Sequence, residues 1–449
     1  MMDGLDPALL DPLVFDGRIA RAAEVLARVR RRLSHADLDD LPNPFAGARA
    51  VSSKATVDAT QDLASDPLFA ALRGWTAHLT IERVTFDDEL SVERALRAEE
   101  PSPELGERPR SFASLLRELL VEPSESTRRA TLAASLAHRA AAIQPRVRHW
   151  FERRAEARRQ LSQRGSPAPA APGRSPEELA GKLLAAVASS GSLPRSPSLE
   201  VLLDASLARS ATEGWPAQLN VRWLARLFGD TELVRGLALD LEPEDLPPAI
   251  GGASFARALG AFGAAVFHAD RPRSRPFVLS RSPDDERAAA RSWLFASLPC
   301  TPAFGRAFLS LGSDRARSQA RAIARAVGVQ AAFLAIAATA EQHVVMPERR
   351  ARVAFEETTA CAFGEPLPGP LVGTLPRVRP DAGVELRGLL LAARDRERLR
   401  DTYDEDWFKN PRAHEALRHE HAALPSRADD AALDEGLAAV ERILAEAVG

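Results

Sequence analysis

The sequence contains few of the residues that mark redox enzymes and metal-binding domains. Its 449 residues include two cysteines, Cys300 and Cys361, one tyrosine and nine histidines. Both cysteines lie in apolar helical segments, and neither belongs to a Cys-x-x-Cys or Cys/His pattern. This excludes a zinc ribbon and a thioredoxin-like dithiol site. We therefore predict two buried free thiols and a reducing compartment.

Motifs for nucleotide binding, serine hydrolysis and export are also missing. The chain has neither a Gly-x-x-x-x-Gly-Lys-Ser/Thr loop nor a Gly-x-Ser-x-Gly turn. The N-terminus has no basic region followed by an apolar core, so no signal peptide is predicted. The longest uncharged apolar run, residues 326–340, is shorter than the roughly 20 residues that span a bilayer. We interpret this run as a buried core helix in a cytoplasmic protein.

The charges are balanced, but the basic residues are almost all of one kind. The formal net charge of −3 argues against a protein that coats nucleic acid or an anionic membrane. Lys54, Lys182 and Lys409 are the only lysines among 59 basic residues. With the abundance of alanine, leucine, glycine and proline, this bias is typical of a GC-rich bacterial genome. It is not by itself a sign of guanidinium recognition chemistry.

Apolar residues recur with the helical period along most of the chain. The pattern predicts helices over 13–33, 111–120 and 126–161, the last of them interrupted at Pro145. Residues 80–86, which are rich in β-branched side chains, are the one segment where a strand competes with a helix. No repeat of 20–50 residues is visible, which argues against a solenoid. We predict an all-α fold, a multi-helix array or bundle in two helical domains or lobes.

The clearest break in the helical pattern is the segment 162–175, which is rich in proline, alanine, serine and glycine. Such a composition is typical of a linker. A helix start follows, because Ser175 suits the N-cap, Pro176 the first helical position and Glu178 a capping box. The predicted units are an N-terminal helical domain over 1–161, this linker, and a C-terminal helical domain over 176–449 with an irregular loop at 364–383.

Three of the nine histidines lie close together near the C-terminus. His414-Glu415 opens the zinc-protease motif His-Glu-x-x-His, but Arg418 takes the place of the second histidine. His414 and His419 lie about 140° apart around a helix, so they cannot share one metal ion. Glu415 and His419 are one turn apart and could bind a metal with a third ligand from elsewhere. The alternative is a charged helix face on which Glu415 pairs with Arg418 and His419.

Aromatic residues precede this cluster in the chain. Tyr403, Trp407 and Phe408, together with Leu417, are expected to pack as an apolar wedge, with a turn at Asn410-Pro411. The wedge accounts for these aromatic side chains without any ligand.

Two other groups could bind a metal or an anion. His343 with Glu356 and Glu357 could form a carboxylate–histidine metal site, although such residues more often lie on helix surfaces. The glycine-rich start of a helix at 251–254, with Arg257, could hold an anion through free backbone amides. Gly260 and Gly263 on that helix are more typical of close helix packing.

The segment 146–164 carries seven arginines with Trp150 and Phe151 between them. A basic patch with aromatic residues can bind nucleic acid. However, Glu152 and Glu156 lie one turn from arginines, which is typical of a solvated helix face. Both interpretations are retained.

Two short segments carry a family resemblance. Asp404–Ala413, which reads DEDWFKNPRA, and Pro247–Leu259, which reads PPAIGGASFARAL, resemble parts of helical bacterial proteins related to the thimet-oligopeptidase-like zinc peptidases. That family depends on a His-Glu-x-x-His helix, which this chain lacks. The resemblance therefore implies an α-helical scaffold that has lost zinc hydrolysis, a pseudoenzyme, and transfers no catalytic residue.

The sequence thus favours a non-catalytic helical binding, scaffold or regulatory protein that needs no cofactor and acts through a protein partner or self-association. One alternative is a metal-dependent, peptidase-like hydrolase with a noncanonical His/Glu site, for which Glu415, His419, His343, Glu356 and Glu357 are the candidate ligands. The other is a nucleic-acid-associated factor that uses the Arg146–Arg164 face.

Overall fold

The structure is a computed structural model that describes residues 11–33, 36–60, 66–102, 106–121, 126–162, 173–191, 193–194, 198–229, 231–425 and 427–448. In these residues the chain forms α-helices and one short two-stranded sheet, so the prediction of an all-α multi-helix array is confirmed. The helices are α1 Pro12–Arg32, α2 Lys54–Ala59, α3 Pro67–Arg97, α4 Phe112–Val121, α5 Ser126–Ser162, α6 Pro176–Ser189, α7 Leu199–Ala205, α8 Val221–Phe228, α9 Gly252–Ala269, α10 Phe277–Ser280, α11 Glu286–Ala296, α12 Pro302–Phe308, α13 Ser313–Val344, α14 Glu348–Phe363, α15 Ala382–Tyr403, α16 Pro411–His421 and α17 Asp430–Val448. The strands β1 Glu100–Ser102 and β2 Gly106–Arg110 pair antiparallel between α3 and α4.

Helix α6 begins where the sequence predicted a start. The Ser175 hydroxyl accepts a hydrogen bond of 3.2 Å from the backbone N–H of Glu178, and Pro176 occupies the first helical position. A capping oxygen satisfies one of the backbone donors that a helix leaves free at its N-terminus.

The structure decides one open alternative and shows one local prediction to be wrong, and tertiary packing explains both. The possible strand at 80–86 lies inside α3, where the hydroxyls of Thr80 and Thr85 donate to carbonyls one turn earlier. Pro145 does not interrupt α5, which continues to Ser162. The flanking residues Ile143 and Val147 are buried in the core, and their packing outweighs the loss of one backbone hydrogen bond at the proline.

The core consists of three hydrophobic clusters. The largest joins the C-terminal part of α3 with α4 to α7, the second half of α13, α14, the loop before α15, α15 and α17. A second cluster lies among α8, α9, α11, α12, the first half of α13, α15 and α16. The third holds α1 and α10 against the first half of α3. Helix α13 takes part in two of the clusters, so it connects most of the molecule.

Helix α13 contains the apolar run 326–340. By length and composition this helix could span a membrane, but 72 % of its most apolar window is buried against the rest of the chain. Its neighbours include α6, α9, α12, α14, α15 and α17. The prediction that this run forms a buried core helix is confirmed.

The predicted linker 162–175 lies largely outside the described residues, since positions 163–172 are not among them. Residues from both sides of it, such as Leu136 and Leu386, belong to the same hydrophobic cluster. The division into two domains stays a prediction.

The irregular segment 364–383 packs inside the molecule. It contains a 3-10 helix at Gly369–Leu371, and its side chains Leu371, Val372 and Val378 are almost fully buried. A Cβ atom at Gly369 would lie 2.8 Å from Cβ of Arg352 and 2.5 Å from the Glu356 carboxylate, so a larger residue would have to displace α14 side chains. The segment is thus a core element without regular structure.

The two thiols lie in different environments. Cys300 is buried as predicted, but Cys361 is exposed on α14, so the prediction of a buried thiol at that position is wrong. Helical periodicity alone did not identify the face of α14 that packs against the core.

Candidate functional site

The aromatic residues before the C-terminal histidines form the predicted wedge. Trp407 and Phe408 lie in a 3-10 helix between α15 and α16 and are 3 % and 1 % exposed. They pack with Leu417 of α16 in the second hydrophobic cluster, and Tyr403 contacts the same cluster from the end of α15. The wedge therefore serves to fix α16 against the core.

His414 and His421 are both buried on the inner face of α16. The Nε2 atom of His414 lies 2.8 Å from the carbonyl oxygen of Phe408, and Nδ1 of His421 lies 3.0 Å from a carboxylate oxygen of Asp270. Burial lowers the pKa of both imidazoles, that of His421 to about 4. Both rings are therefore neutral at pH 7 and act as structural hydrogen-bonding groups.

Arg418 pairs with a partner outside its own helix. Its guanidinium binds Asp270 at 2.9 Å and the carbonyl oxygen of Glu232 at 3.0 Å, and not Glu415 as the sequence suggested. Glu415 and His419 remain on the outer face, where both line an open cleft of about 730 Å³. Among the described residues no three His, Cys, Asp or Glu side chains are close enough to hold one metal ion.

The other predicted metal ligands, His343, Glu356 and Glu357, lie in three different environments. His343 is half-buried near the end of α13, where burial lowers its pKa and its Nδ1 atom has no hydrogen-bond partner in the described chain. Glu356 accepts a hydrogen bond of 3.1 Å from the backbone N–H of Gly369 and so fixes the irregular segment. Glu357 is exposed on α14.

The backbone N–H groups at the start of α9 already donate hydrogen bonds to backbone carbonyl oxygens of the protein. The backbone N–H groups of Gly252 and Ala253 donate to the carbonyl oxygens of Ala208 and Leu207 at 3.0 and 3.1 Å. These amides are therefore not available for an anion, and the anion-binding interpretation is wrong. Gly263 packs on α11, where an added Cβ atom would lie 2.7 Å from the carbonyl oxygen of Arg291, so the packing interpretation is confirmed.

The arginines of α5 mostly bind neighbouring helices. Arg154 is buried and forms two hydrogen bonds of 2.9 and 2.8 Å with Glu82 of α3. Arg153 donates to the carbonyl oxygen of Val84 at 3.1 Å, and Arg158 pairs with Glu341 at 2.7 Å. Few of these guanidinium groups are therefore free to bind the phosphates of a nucleic acid. Position 164 lies outside the described residues.

A cavity that sequence reasoning missed lies between α13, α15 and α17. It has a volume of about 240 Å³, and we call it the Arg396 pocket. It is lined by Cys300, Thr301, Pro302, Arg317, Ala320, Arg321, Ala324, Arg396, Arg400, Glu405, Trp407, Ile443 and Glu446.

Arg396 is a buried charge with no partner among the described residues. The residue is 5 % exposed, its Nη1 atom is fully buried, and no hydrogen bond or ion pair of this guanidinium occurs within the described part of the chain. Burial lowers the pKa of Arg396, but an arginine starts from so high a value that it stays charged at neutral pH.

Among the described residues no carboxylate forms an ion pair with this guanidinium, although the charges of Glu446 and Glu397 act to raise its pKa. Burial raises the pKa of the nearby Cys300 to about 11, so its thiol is uncharged at pH 7. Glu446 instead pairs with Arg400 at 3.4 Å, and Glu405 lies 3.9 Å from Arg306. Arg321, at the rim, is exposed and has no partner among the described residues either. The pocket thus holds unpaired positive charge.

The sequence does contain a faint signal for the Arg396 pocket. Arg317 and Arg321 on α13, and Arg396 and Arg400 on α15, are spaced four residues apart and so lie on one face of their helices. In a chain this rich in arginine the spacing recurs elsewhere, for example at Arg154 and Arg158. Only the tertiary structure distinguishes an unpaired arginine from one in an ion pair.

Comparison of the chain with models of protein families, with curated proteins and with solved structures gives no significant match. The resemblance to thimet-oligopeptidase-like peptidases stays a prediction.

Proposed function

We propose that this protein is a non-catalytic helical binding protein whose ligand places an anionic group in the Arg396 pocket. The observation that carries the proposal is the guanidinium of Arg396, whose Nη1 atom is buried and which has no hydrogen-bond or ion-pair partner in the part of the chain that the structure describes. Removing an ion from water costs several kcal/mol of folding free energy unless an opposite charge compensates it. A bound anion would supply that charge and would gain charge-assisted hydrogen bonds in a site shielded from water.

The surroundings of Arg396 support binding and provide no reaction chemistry. The described lining of the pocket contains no histidine, and its one thiol, Cys300, is held neutral by burial. A nucleophile needs an adjacent base or a lowered pKa, and Cys300 has the opposite shift. The chemistry of the lining is that of recognition, with guanidinium donors, two carboxylate acceptors and apolar walls.

The alternatives have less support. A metal-dependent hydrolase at Glu415 and His419 would need a third ligand, and the described residues bring none within reach. A nucleic-acid factor would use α5, whose arginines are mostly paired with the protein. Scaffolding by self-association stays open, because a ligand in the pocket is compatible with a partner elsewhere on the surface, and size-exclusion chromatography with light scattering tests it.

The test is titration calorimetry with inorganic sulfate and inorganic phosphate, in a buffer that contains no other multivalent anion. We expect saturable binding with one site per chain in the wild type and loss of binding in Arg396→Met. Arg349→Met, which changes an arginine of α14 that does not line the pocket, serves as the matched control and should bind as the wild type does. Absence of binding in the wild type, or unchanged binding in Arg396→Met, would refute the proposal.

A further inference from the structure

We infer that the ligand of the Arg396 pocket is a small phosphate monoester in its dianionic form, attached to a short hydroxylated carbon skeleton. The inference rests on the proposed function and specifies its ligand class.

The first argument is charge. Of the charged residues in the lining, Arg317 pairs with Asp314 at 2.8 Å, Arg400 with Glu446 at 3.4 Å, and Glu405 lies 3.9 Å from Arg306. Arg396 and Arg321 have no ion-pair partner among the described residues, so they leave two uncompensated positive charges in the pocket at neutral pH. A phosphate monoester carries between about −1.5 and −2 at pH 7. A dianion therefore neutralises the pocket, whereas a carboxylate would leave half of the excess charge uncompensated.

The second argument is geometry. The arginines come from two helices, Arg317 and Arg321 from α13 and Arg396 and Arg400 from α15. A planar carboxylate is satisfied by one guanidinium fork. A tetrahedral phosphoryl group has three terminal oxygens that point in different directions, so it can accept from guanidinium groups on both helices together.

The third argument concerns the rest of the lining. The carboxylates of Glu405 and Glu446 are hydrogen-bond acceptors, and they can bind hydroxyl groups but would repel a second phosphate. Ala320, Ala324 and Ile443 provide apolar surface for carbon atoms. A volume of about 240 Å³ lies below the range of roughly 300–1,000 Å³ that is typical of sites for larger ligands. The pocket therefore suits a metabolite of a few carbons and not a nucleotide.

The experiment compares glycerol 3-phosphate, inorganic sulfate, glycerol and acetate by titration calorimetry at pH 7.5 and pH 5.0. At pH 7.5 we expect glycerol 3-phosphate to bind at least tenfold more tightly than acetate, and glycerol alone not to bind. At pH 5.0 the ester is largely a monoanion, because its second pKa is about 6, so its affinity should fall severalfold. Sulfate stays a dianion at both pH values and therefore controls for any change in the glutamates of the pocket.

A substitution at the rim tests the contribution of the second helix. Arg321→Met removes an exposed arginine that lines the pocket, and Arg325→Met removes the next arginine on the same face of α13, which does not. We expect Arg321→Met to weaken binding of glycerol 3-phosphate by roughly tenfold to a hundredfold, as loss of a charge-assisted hydrogen bond does. Arg325→Met should bind within about twofold of the wild type.

The outcomes separate the two proposals. If no anion binds, the proposed function fails and the inference with it. If acetate binds as tightly as glycerol 3-phosphate, or if the ester binds equally at both pH values, the anion site stands but the phosphate inference is overturned. Binding of sulfate but not of glycerol 3-phosphate would overturn it as well, because the pocket would then exclude the carbon skeleton.

Discussion

Replacing Arg396 by methionine should stabilise the free protein while it abolishes ligand binding. Methionine is nearly as long as arginine, is unbranched and flexible, and has no charge, so it can fill the same space next to Ala324 and Trp407. In the wild type Arg396 is 5 % exposed, and its guanidinium has no partner in the described chain. A ligand-binding role and a structural role of Arg396 therefore predict opposite signs for the change in stability.

The magnitude follows from the cost of a buried charge. Replacing buried ionic groups by apolar residues of similar volume often stabilises a protein by about 1–4 kcal/mol. The substitution would orphan no partner of Arg396 among the described residues, so we expect a gain in this range without ligand. At a ligand concentration of 100 times Kd, binding stabilises the wild type by about 2.7 kcal/mol. The variant should show no such increase.

Equilibrium urea unfolding, followed by circular dichroism with and without saturating glycerol 3-phosphate, measures both effects. The buffer must contain neither phosphate nor sulfate, since either could occupy the pocket. A loss of more than about 1 kcal/mol in Arg396→Met without ligand would refute the reasoning, because it would mean that the guanidinium has a stabilising partner in the free protein.

Glu82→Gln should destabilise the protein by about 3–5 kcal/mol in urea unfolding, because Arg154 would remain buried without its counter-ion. As a control, Glu156→Gln removes one partner of an exposed ion pair and should lower the free energy of unfolding by less than about 1 kcal/mol. Gly263→Ala should lower the free energy of unfolding by about 1–3 kcal/mol, because the added Cβ atom would overlap the backbone of α11. Gly181→Ala in α6, where no atom is close to the added Cβ, should raise it by up to about 1 kcal/mol. His421→Gln should reduce acid lability, because burial lowers the pKa of His421 to about 4 and the unfolded chain binds this proton near pH 6.5. The free energy of unfolding of the wild type should therefore fall by about 3 kcal/mol as the pH is lowered from 6.5 to 4, owing to protonation of His421.

Each of these predictions has an outcome that would contradict it. Equal losses in the two glutamine variants would mean that the buried ion pair does not hold α3 to α5. A neutral Gly263→Ala would mean that α9 and α11 can separate at little cost. If the stability of His421→Gln fell between pH 6.5 and 4 as steeply as that of the wild type, His421 would not be a source of the acid lability.

The fold class could be predicted because local signals and packing agree in most helices. The start of α6 at Ser175 is one such case, since capping chemistry and apolar period point to the same residue. Pro145 and the segment 80–86 show the limit. There the local preference favours a break or a strand, and burial of neighbouring residues in a core formed by distant segments decides otherwise.

The candidate site was harder to predict because its chemistry depends on which charges are paired. The C-terminal cluster attracted attention by residue type, yet His414 and His421 are structural, and Arg418 binds Asp270, the residue that directly follows α9. Arg396 has no distinctive neighbours in sequence. Arg396 differs from most of the other arginines because it is buried with no carboxylate partner among the described residues. Helices α13, α15 and α17 together create this environment.

Helix α17 supplies one wall of the pocket through Ile443 and Glu446 and also closes the core with Leu433 and Leu437. Near its start, the Asp430 carboxylate accepts a hydrogen bond of 3.1 Å from the backbone N–H of Arg174, 256 residues earlier in the chain. A nascent chain emerges from the ribosome in order, so every other described helix is made before this contact can form. Closing so long a loop is entropically costly and slow. We expect the binding site to appear at a late step of folding, after the other helices have assembled around α13.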